Sequence, residues 1–149
     1  MFSTSINSTT PESASEKIAS NTCYELMVDR AKNRIYFSIL GYWKNKDVVP
    51  AFLEDWKKAV ALTQPGFTVL TDMRLMITHP QELHELHLAA QKFVMEAGVK
   101  HVANVLPVDK IANLQANSIS STIKFPSQNF NTCEEAETWL NQLTITPVN

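Results

Sequence analysis

The first clear hydrophobic pattern is an alternation of apolar and polar residues over residues 23–40. Tyr24, Leu26 and Val28 alternate with more polar neighbours, and the segment IYFSIL that follows is rich in β-branched and aromatic residues. Alternation with a period of two and these residue types are typical of β-strands. Asn33 lies in the polar stretch RAKNR between the two runs, where a left-handed turn residue is expected. The pattern therefore predicts an antiparallel hairpin over residues 23–40.

A helical pattern follows between Val49 and Leu62, where apolar residues recur at near-helical spacing. Pro50 lies near its start, and a proline lacks the N–H that positions beyond the first helical turn require. Asp47 as the N-cap places Pro50 at the third helical position, whereas Asn45 as the N-cap would make Pro50 an interior residue. We therefore predict that Asp47 caps this helix.

Two further strand–helix units follow along the chain. The segment FTVLTDM, residues 67–73, is apolar on both faces, which is typical of a central parallel strand, and we expect a loop over residues 73–80 after it. Pro80 is expected at the first position of a second helix, which ends near Gly98. The segment KHVANVLP predicts a fourth strand, and DKIANLQANSIS predicts a third helix.

The last unit begins with TIKFPSQNF, in which Pro126 indicates an edge strand. The motif TCEE reads as a capping box of Thr132 with Glu135 and begins a final helix. The order of elements is β-β-α-β-α-β-α-β-α, and strands that alternate with helices imply parallel pairing. The sequence thus predicts a single-domain α/β fold. Its mixed sheet has about five strands, with an antiparallel N-terminal hairpin and a parallel remainder, and about four helices accompany it.

The composition is compatible with one domain of this kind. The 149 residues are 44% hydrophobic and carry a formal net charge of −2, which suits one core and argues against nucleic acid as a partner. We expect residues 1–21 to form a flexible leader, or to pack on the domain or on a partner subunit. Residues 22–144 are the expected domain and residues 145–149 a tail.

The sequence also bears on location and on bound groups. No apolar run approaches the ~18 residues that span a bilayer. The leader lacks a cationic start and an apolar stretch, so we do not expect it to be a secretory signal. Cys23 and Cys133 show no metal-type spacing and are expected to be free thiols in a reducing compartment. We therefore expect a cytoplasmic protein with no membrane partner, no metal and no cofactor.

Four phrases carry a resemblance to a known family: NRIYFSILGYW, PGFTVLTDMR, EAGVKHVANVLP and CEEAETWL. They are spread over residues 23–143. With the element order, they resemble the STAS domain family (sulphate transporter and anti-sigma factor antagonist), in the style of the small stand-alone SpoIIAA-like proteins. The resemblance implies a non-enzymatic regulatory domain that works through contacts with a protein partner or as a homodimer.

In the best-known members of that family a partner kinase phosphorylates a Ser or Thr in a D-S-x-G-like loop, and the added charge changes what can dock. The corresponding stretch here is MITHPQEL, in which Thr78 is followed by His79 and Pro80 rather than by Ser and Gly. The resemblance therefore implies docking without a recognisable phospho-switch. We expect Thr78 or His79 at or beside the helix N-cap, where free N–H groups favour an anion, and we count both as candidate binding residues.

Two other pairs are candidate binding residues. Asp72 and Arg74 lie at the end of the buried strand, where they could position a ligand at the carboxyl edge of the sheet. Such a pair more often caps a loop backbone or pairs on the surface. Tyr42 and Trp43 lie between the second strand and the first helix. They could line a pocket or a dimer contact, or fill the edge of the core.

Other functional classes rest on weaker patterns. The segment ELHELH places His84 and His87 three residues apart, which fits a metal edge, although we favour a solvated helix face. Cys133 lies in a first helical turn, but no histidine lies near it in sequence to act as a base, so we expect no catalytic residues. The alternative function is a small carrier or sensor of an apolar ligand, with a cavity between the second helix, Met73, Met76 and the GYW segment. An enzyme of unknown chemistry ranks third.

Overall fold

The computed structural model describes residues 15–77, 80–108 and 127–145. Six strands and three α-helices lie in these ranges. The strands are β1 (Ser15–Ser20), β2 (Tyr24–Asp29), β3 (Arg34–Gly41), β4 (Thr68–Met76), β5 (His101–Val105) and β6 (Ser127–Phe130). The helices are α1 (Phe52–Ala61), α2 (Gln81–Glu96) and α3 (Cys133–Ile145), and a 3₁₀ turn, Lys46–Val48, precedes α1.

The strands form one mixed sheet in the order β1-β2-β3-β4-β5-β6. Strands β1, β2 and β3 pair antiparallel, and β3 to β6 pair parallel. This confirms the predicted α/β class with an antiparallel start and a parallel remainder. The count of about five strands is one short, because Ser15–Ser20, within the expected leader, pairs with β2. The third predicted helix and residues 1–14 lie outside the described residues.

The predicted hairpin is present as β2 and β3, which pair from Tyr24↔Ile39 to Asp29↔Arg34. Asn33 has the expected left-handed conformation, with φ 54°. Its side-chain Oδ1 also accepts a hydrogen bond from the Gln64 N–H at 2.8 Å, and its Nδ2 donates one to the Gln64 carbonyl at 3.1 Å. The turn of the hairpin is therefore fastened to the chain that follows α1.

Two of the predicted helix starts are wrong, and one is confirmed. Asn45, not Asp47, supplies a side-chain cap: it accepts a hydrogen bond from the Asp47 N–H at 2.9 Å and begins the 3₁₀ turn. Helix α1 starts only at Phe52, with Ala51 as its N-cap. Pro80 is the N-cap of α2 rather than its first residue. Thr132 caps α3 as predicted, because its Oγ1 accepts the Glu135 N–H at 3.1 Å.

Strand β4 is longer than predicted and includes part of the expected loop over residues 73–80. It continues to Met76 because β3 continues beside it, with Leu75 paired to Leu40 and Met76 paired to Gly41. The register shifts after Ser38↔Asp72, so β4 contains one more residue than β3 before the pairing resumes. Such an extra residue is a β-bulge, which turns the side chains that follow it to the opposite face.

The sheet separates two hydrophobic clusters. On one face α1 and α2 cover the larger core, whose centre is an aromatic group of Tyr24, Phe37, Trp43, Phe52 and Trp56. On the other face α3 covers a smaller cluster formed by Leu70, Ala103, Val105, Ala136 and Leu140. We call these the α1/α2 face and the α3 face.

Candidate functional site

Asp72 and Arg74 pair with each other at the bulge of β4. The Arg74 Nε donates to Asp72 Oδ1 at 2.9 Å, and Nη2 donates to Oδ2 at 2.9 Å. The Arg74 backbone N–H also donates to Oδ1, at 3.1 Å. Both carboxylate oxygens of Asp72 therefore accept hydrogen bonds from Arg74, two residues further along the strand. These bonds stabilise the bulged backbone.

The environment keeps Asp72 ionised. Burial acts to raise its pKa, but hydrogen bonds and charge from Arg74, with a further hydrogen bond from Cys133, lower the pKa below its ordinary value. A carboxylate with a lowered pKa is a poor proton donor at neutral pH. Asp72 can orient a cationic or N–H group there, but it does not serve as a general acid.

Asp72 also lines an open groove of about 500 Å³ on the α3 face, between β3, β4 and the first turns of α3. Tyr36, Ser38, Cys133 and Glu134 are among its other lining residues. Burial and the negative charge of Asp72 raise the pKa of the Cys133 thiol. The thiol is therefore protonated at neutral pH, and the position at a helix start does not make it a reactive nucleophile.

A partly buried ionic network around Glu137, which also lines this groove, connects α3 to the hairpin. The Glu137 Oε2 accepts hydrogen bonds from Tyr36 Oη at 2.8 Å, from Lys32 Nζ at 3.1 Å and from Arg34 Nη1. Arg34 is fully buried and also contacts Asn141 Oδ1 at 2.9 Å. This network joins α3 to the hairpin, so it is a structural fastening rather than an open site.

The structure separates the two aromatic candidates. Trp43 is fully buried, its Nε1 donates to the Cys23 carbonyl at 2.7 Å, and its ring stacks on His87 with centroids 5.2 Å apart. Trp43 thus fills the edge of the core, the second of the two roles considered above. Tyr42 points outward and is 56% exposed.

Tyr42 belongs to an exposed apolar set at the carboxyl end of the sheet. Leu75 is 67% exposed, Ile77 48% and Val108 81%. The backbone holds them together: the Ile77 N–H donates to the Gly41 carbonyl at 3.1 Å, and the Val108 N–H donates to the Arg74 carbonyl at 3.4 Å. We call Tyr42, Leu75, Ile77 and Val108 the apolar rim.

Sequence reasoning did not single out three of the four rim residues. Leu75 and Ile77 fell within the expected loop, and Val108 lay past the fourth strand. The signal available was the presence of apolar side chains beyond a strand end, but local sequence does not show that they share one edge. Thr78 and His79 follow Ile77 directly in the chain and lie outside the described residues, so their roles stay predictions.

The histidine motif ELHELH was also misjudged in part. His87 is buried and faces the α1/α2 core, so this side of α2 is not the solvated face that we favoured. His87 lines a cavity of about 70 Å³ between the sheet and α2, together with Met73 and Met76. Within residues 15–77, 80–108 and 127–145, no group of three or more His, Cys, Asp or Glu side chains is arranged to hold a metal ion.

Three solved structures share this fold over most of the chain. One is an uncharacterized protein of the DUF3478 family with a SpoIIAA-like fold from Shewanella loihica PV-4, with TM-score 0.56 and 14% identity over 82% of this chain and 98% of that one. SiaC of Pseudomonas aeruginosa has TM-score 0.52 and 13% identity over 78% of this chain and 98% of that one. An anti-sigma factor antagonist from Mycobacterium paratuberculosis has TM-score 0.52 and 14% identity over 83% of this chain and 98% of that one.

The fold is therefore SpoIIAA-like, of the STAS type that the sequence resembles. The chain matches no family model. It also matches no curated protein. Identities of this size establish the fold and leave the function to be argued from the site itself. Among the helices that the structure describes, none combines the length and apolar character needed to cross a membrane.

Proposed function

We propose that this SpoIIAA-like domain is a non-enzymatic regulatory protein that docks a protein partner through the apolar rim. The observation that carries the proposal is the clustering of Tyr42, Leu75, Ile77 and Val108 at one edge of the sheet, all of them exposed. Single exposed apolar residues are ordinary, but a contiguous set of them marks an interaction surface. Docking at this edge would take the set out of water.

The composition of the rim and its surroundings suits a protein contact. Tyrosine and arginine are enriched in protein interfaces, and Tyr42 and Arg74 both lie at this edge. Arg74 is half-exposed although it pairs with Asp72. The Asp72–Arg74 pair therefore offers a polar border beside the apolar centre, in the arrangement of hydrophobic core and polar rim that interfaces show.

One fold neighbour is an anti-sigma factor antagonist, and this supports a regulatory role through protein contact. A cytoplasmic location and a homodimer as one possible docked state are parts of the same proposal. Thr78 and His79 adjoin the rim in sequence, and we propose that they contact the partner without a phospho-switch. The raised pKa of the Cys133 thiol and the pairing of Asp72 with Arg74 argue against catalysis at the groove.

The carrier of an apolar ligand stays the second candidate, because a cavity does lie beside Met73, Met76 and α2. Its volume of about 70 Å³ is roughly half that of an engineered cavity of ~150 Å³ that admits benzene. A ligand of drug or lipid size does not fit this space. We therefore rank docking above transport.

The docking proposal is tested by placing charge in the rim. The full chain with Leu75→Glu and Ile77→Glu is compared with the wild type and with Met95→Glu. Met95 is the control because it is an exposed apolar residue away from the rim. It lies near the C-terminal end of α2, which leads into the amino end of β5, whereas the rim lies at the carboxyl end of the sheet. Sedimentation velocity measures self-association, and quantitative mass spectrometry measures proteins that co-purify from the source cells.

We expect the double variant to lose self-association or one defined set of co-purifying proteins, while Met95→Glu keeps it. All three proteins should unfold at similar denaturant concentrations, because the changed side chains are exposed. The same associations in the rim variant and in the wild type would contradict docking through this edge. Recovery of a tightly bound small molecule with no protein partner would favour the carrier instead.

A further inference from the structure

The cavity beneath α1 and α2 contains two buried polar atoms that the docking proposal does not explain. Trp56 is 4% exposed and Gln91 lies on α2, and both line the cavity. The Trp56 Nε1 and the Gln91 Oε1 are buried and have no hydrogen-bond partner in the part of the chain that the structure describes. One is an N–H donor and the other is a carbonyl acceptor.

Leaving such atoms unsatisfied is costly, and native proteins rarely do so without a reason. The walls around them are mostly apolar and include Phe37, Ile39 and Val69. A small apolar body that carries one group able both to accept and to donate a hydrogen bond would match these walls and both atoms. A hydroxyl group does both: its oxygen accepts from the indole N–H, and its hydrogen goes to the amide oxygen.

The volume fixes the size of the occupant. If a cavity of ~150 Å³ admits benzene, about 70 Å³ corresponds to roughly three non-hydrogen atoms. The competing occupant is ordered water, because Thr71, His87 and Asn104 also line the cavity and a buried water typically makes about three hydrogen bonds.

We propose that this cavity is a binding site for a small neutral hydroxyl compound, of the size of a short-chain alcohol, held between Trp56 and Gln91. The proposal does not depend on docking, because the cavity lies under the helices and the apolar rim lies at the sheet edge. Met73 and Met76 line the cavity. Their flexible side chains can adjust to admit the ligand.

The test uses the isotope-labelled full chain and nuclear magnetic resonance titration with ethanol. Acetonitrile is the comparator, because it has the same number of non-hydrogen atoms and accepts a hydrogen bond but cannot donate one. We expect a saturable shift of the Trp56 indole N–H signal with ethanol. The dissociation constant should be on the order of 1 mM at the tightest, the limit for so few atoms. Acetonitrile should bind at least ~10-fold more weakly because Gln91 stays unsatisfied.

Two variants assign the site. Trp56→Phe removes the donor and Gln91→Leu removes the acceptor, and each should weaken ethanol binding ~10-fold or more. Ethanol binding in these variants is followed by the methyl signals of Met73 and Met76. Trp139→Phe, on the α3 face, is the control and should leave binding unchanged. The comparison of the two ligands on the wild type needs no variant, so it stands even if a variant fails to fold.

Three outcomes overturn the proposal. Equal binding of ethanol and acetonitrile would show that the two polar atoms do not select the ligand. Unsaturated, linear shifts with both compounds would show solvent effects rather than a site. Long-lived water signals at the Trp56 indole that ethanol does not displace would show that the cavity is a hydration site only.

Discussion

The ion pair between buried Arg34 and partly exposed Glu137 makes the sharpest prediction about stability. Glu137→Gln removes the charge that faces Arg34, while an amide oxygen of similar shape stays in place. The side chain of Arg34 is 1% exposed and that of Glu137 is 27% exposed. Thr68 Oγ1 at 3.0 Å and Asn141 Oδ1 at 2.9 Å still accept hydrogen bonds from Arg34 in the variant, but neither carries a counter-charge.

The magnitude follows from this geometry. Removing one partner of a fully buried ion pair costs about 3–5 kcal/mol, because the remaining charge is left uncompensated. Solvent reaches part of Glu137 and screens the pair, so the cost is smaller here. We expect the free energy of unfolding to fall by about 2–3 kcal/mol. Glu54→Gln is the control: Glu54 forms an exposed pair with Lys57, and its loss should cost less than about 1 kcal/mol.

The assay is urea unfolding of wild type, Glu137→Gln and Glu54→Gln across a range of pH. Burial acts to raise the pKa of Glu137, but hydrogen bonds from Tyr36 and Lys32 and the charges of Arg34 and Lys32 outweigh it, so the folded pKa lies below the ordinary 4.5. A lowered folded pKa means that the contribution is fully present above about pH 4.5 and is lost as the pH falls through the folded value. The difference between wild type and variant should shrink in that range.

Two results would refute this reasoning. A cost for Glu137→Gln no greater than that for Glu54→Gln would show that the network contributes little. A cost that persists undiminished at a pH well below the folded pKa would show that the charge is not its source. A further check is Arg34→Met with Glu137→Leu. Removing both charges should recover much of the lost stability, because no buried charge is left unpaired.

Three smaller predictions follow from single residues. Thr132→Ala should lower the free energy of unfolding, measured in urea, by about 1 kcal/mol, because the Glu135 N–H loses its acceptor. Thr132→Ser should keep most of the wild-type stability, and equal losses in the two variants would contradict capping. Gly41→Ala should lower the free energy of unfolding by about 1–2 kcal/mol through the backbone φ of +64° alone, because no atom lies within 4 Å of the added Cβ. An unchanged unfolding midpoint would be inconsistent with that conformation. Asp72→Asn should cost less than about 1 kcal/mol, because the amide oxygen can still accept from the Arg74 backbone N–H and half-exposed Arg74 stays hydrated. A larger loss would show that the charge of Asp72 contributes more than a surface pair does.

The parts of the fold that sequence predicted are those whose signal is local. The hairpin of β2 and β3 alternates visibly, and the Thr132 cap depends on residues three apart. Strand β1 gave no such signal, because Ile18 and Ala19 are its only residues packed against the core. Its position depends on pairing with β2, which the β1 sequence does not show. The same applies to the end of β4, which is extended by the neighbouring β3.

His87 is an instructive exception, because its burial could have been predicted. It lies four residues after Leu83 and three before Ala90, which are both buried on the inner stripe of α2. The neighbouring Glu82, His84 and Glu85 made the whole segment look solvated. Helical position is a better guide to burial here than the polarity of neighbouring residues.

The bulge in β4 explains why an apolar rim and a cavity occur on the same strand. In regular alternation Leu75 would share the α1/α2 face with Met73, and Met76 would turn to the α3 face. The extra residue reverses this: Leu75 pairs with Leu40 on the α3 face, and Met76 pairs with Gly41 and lines the cavity.

Asp72 holds this arrangement from one side. Its carboxylate receives both the backbone N–H and the side chain of Arg74, within the bulge itself. The role of Asp72 that the structure supports is therefore to fix the backbone of the bulge that leaves Leu75 exposed. Of the roles considered for Asp72, the contacts in the structure fit the capping of backbone and the pairing with Arg74.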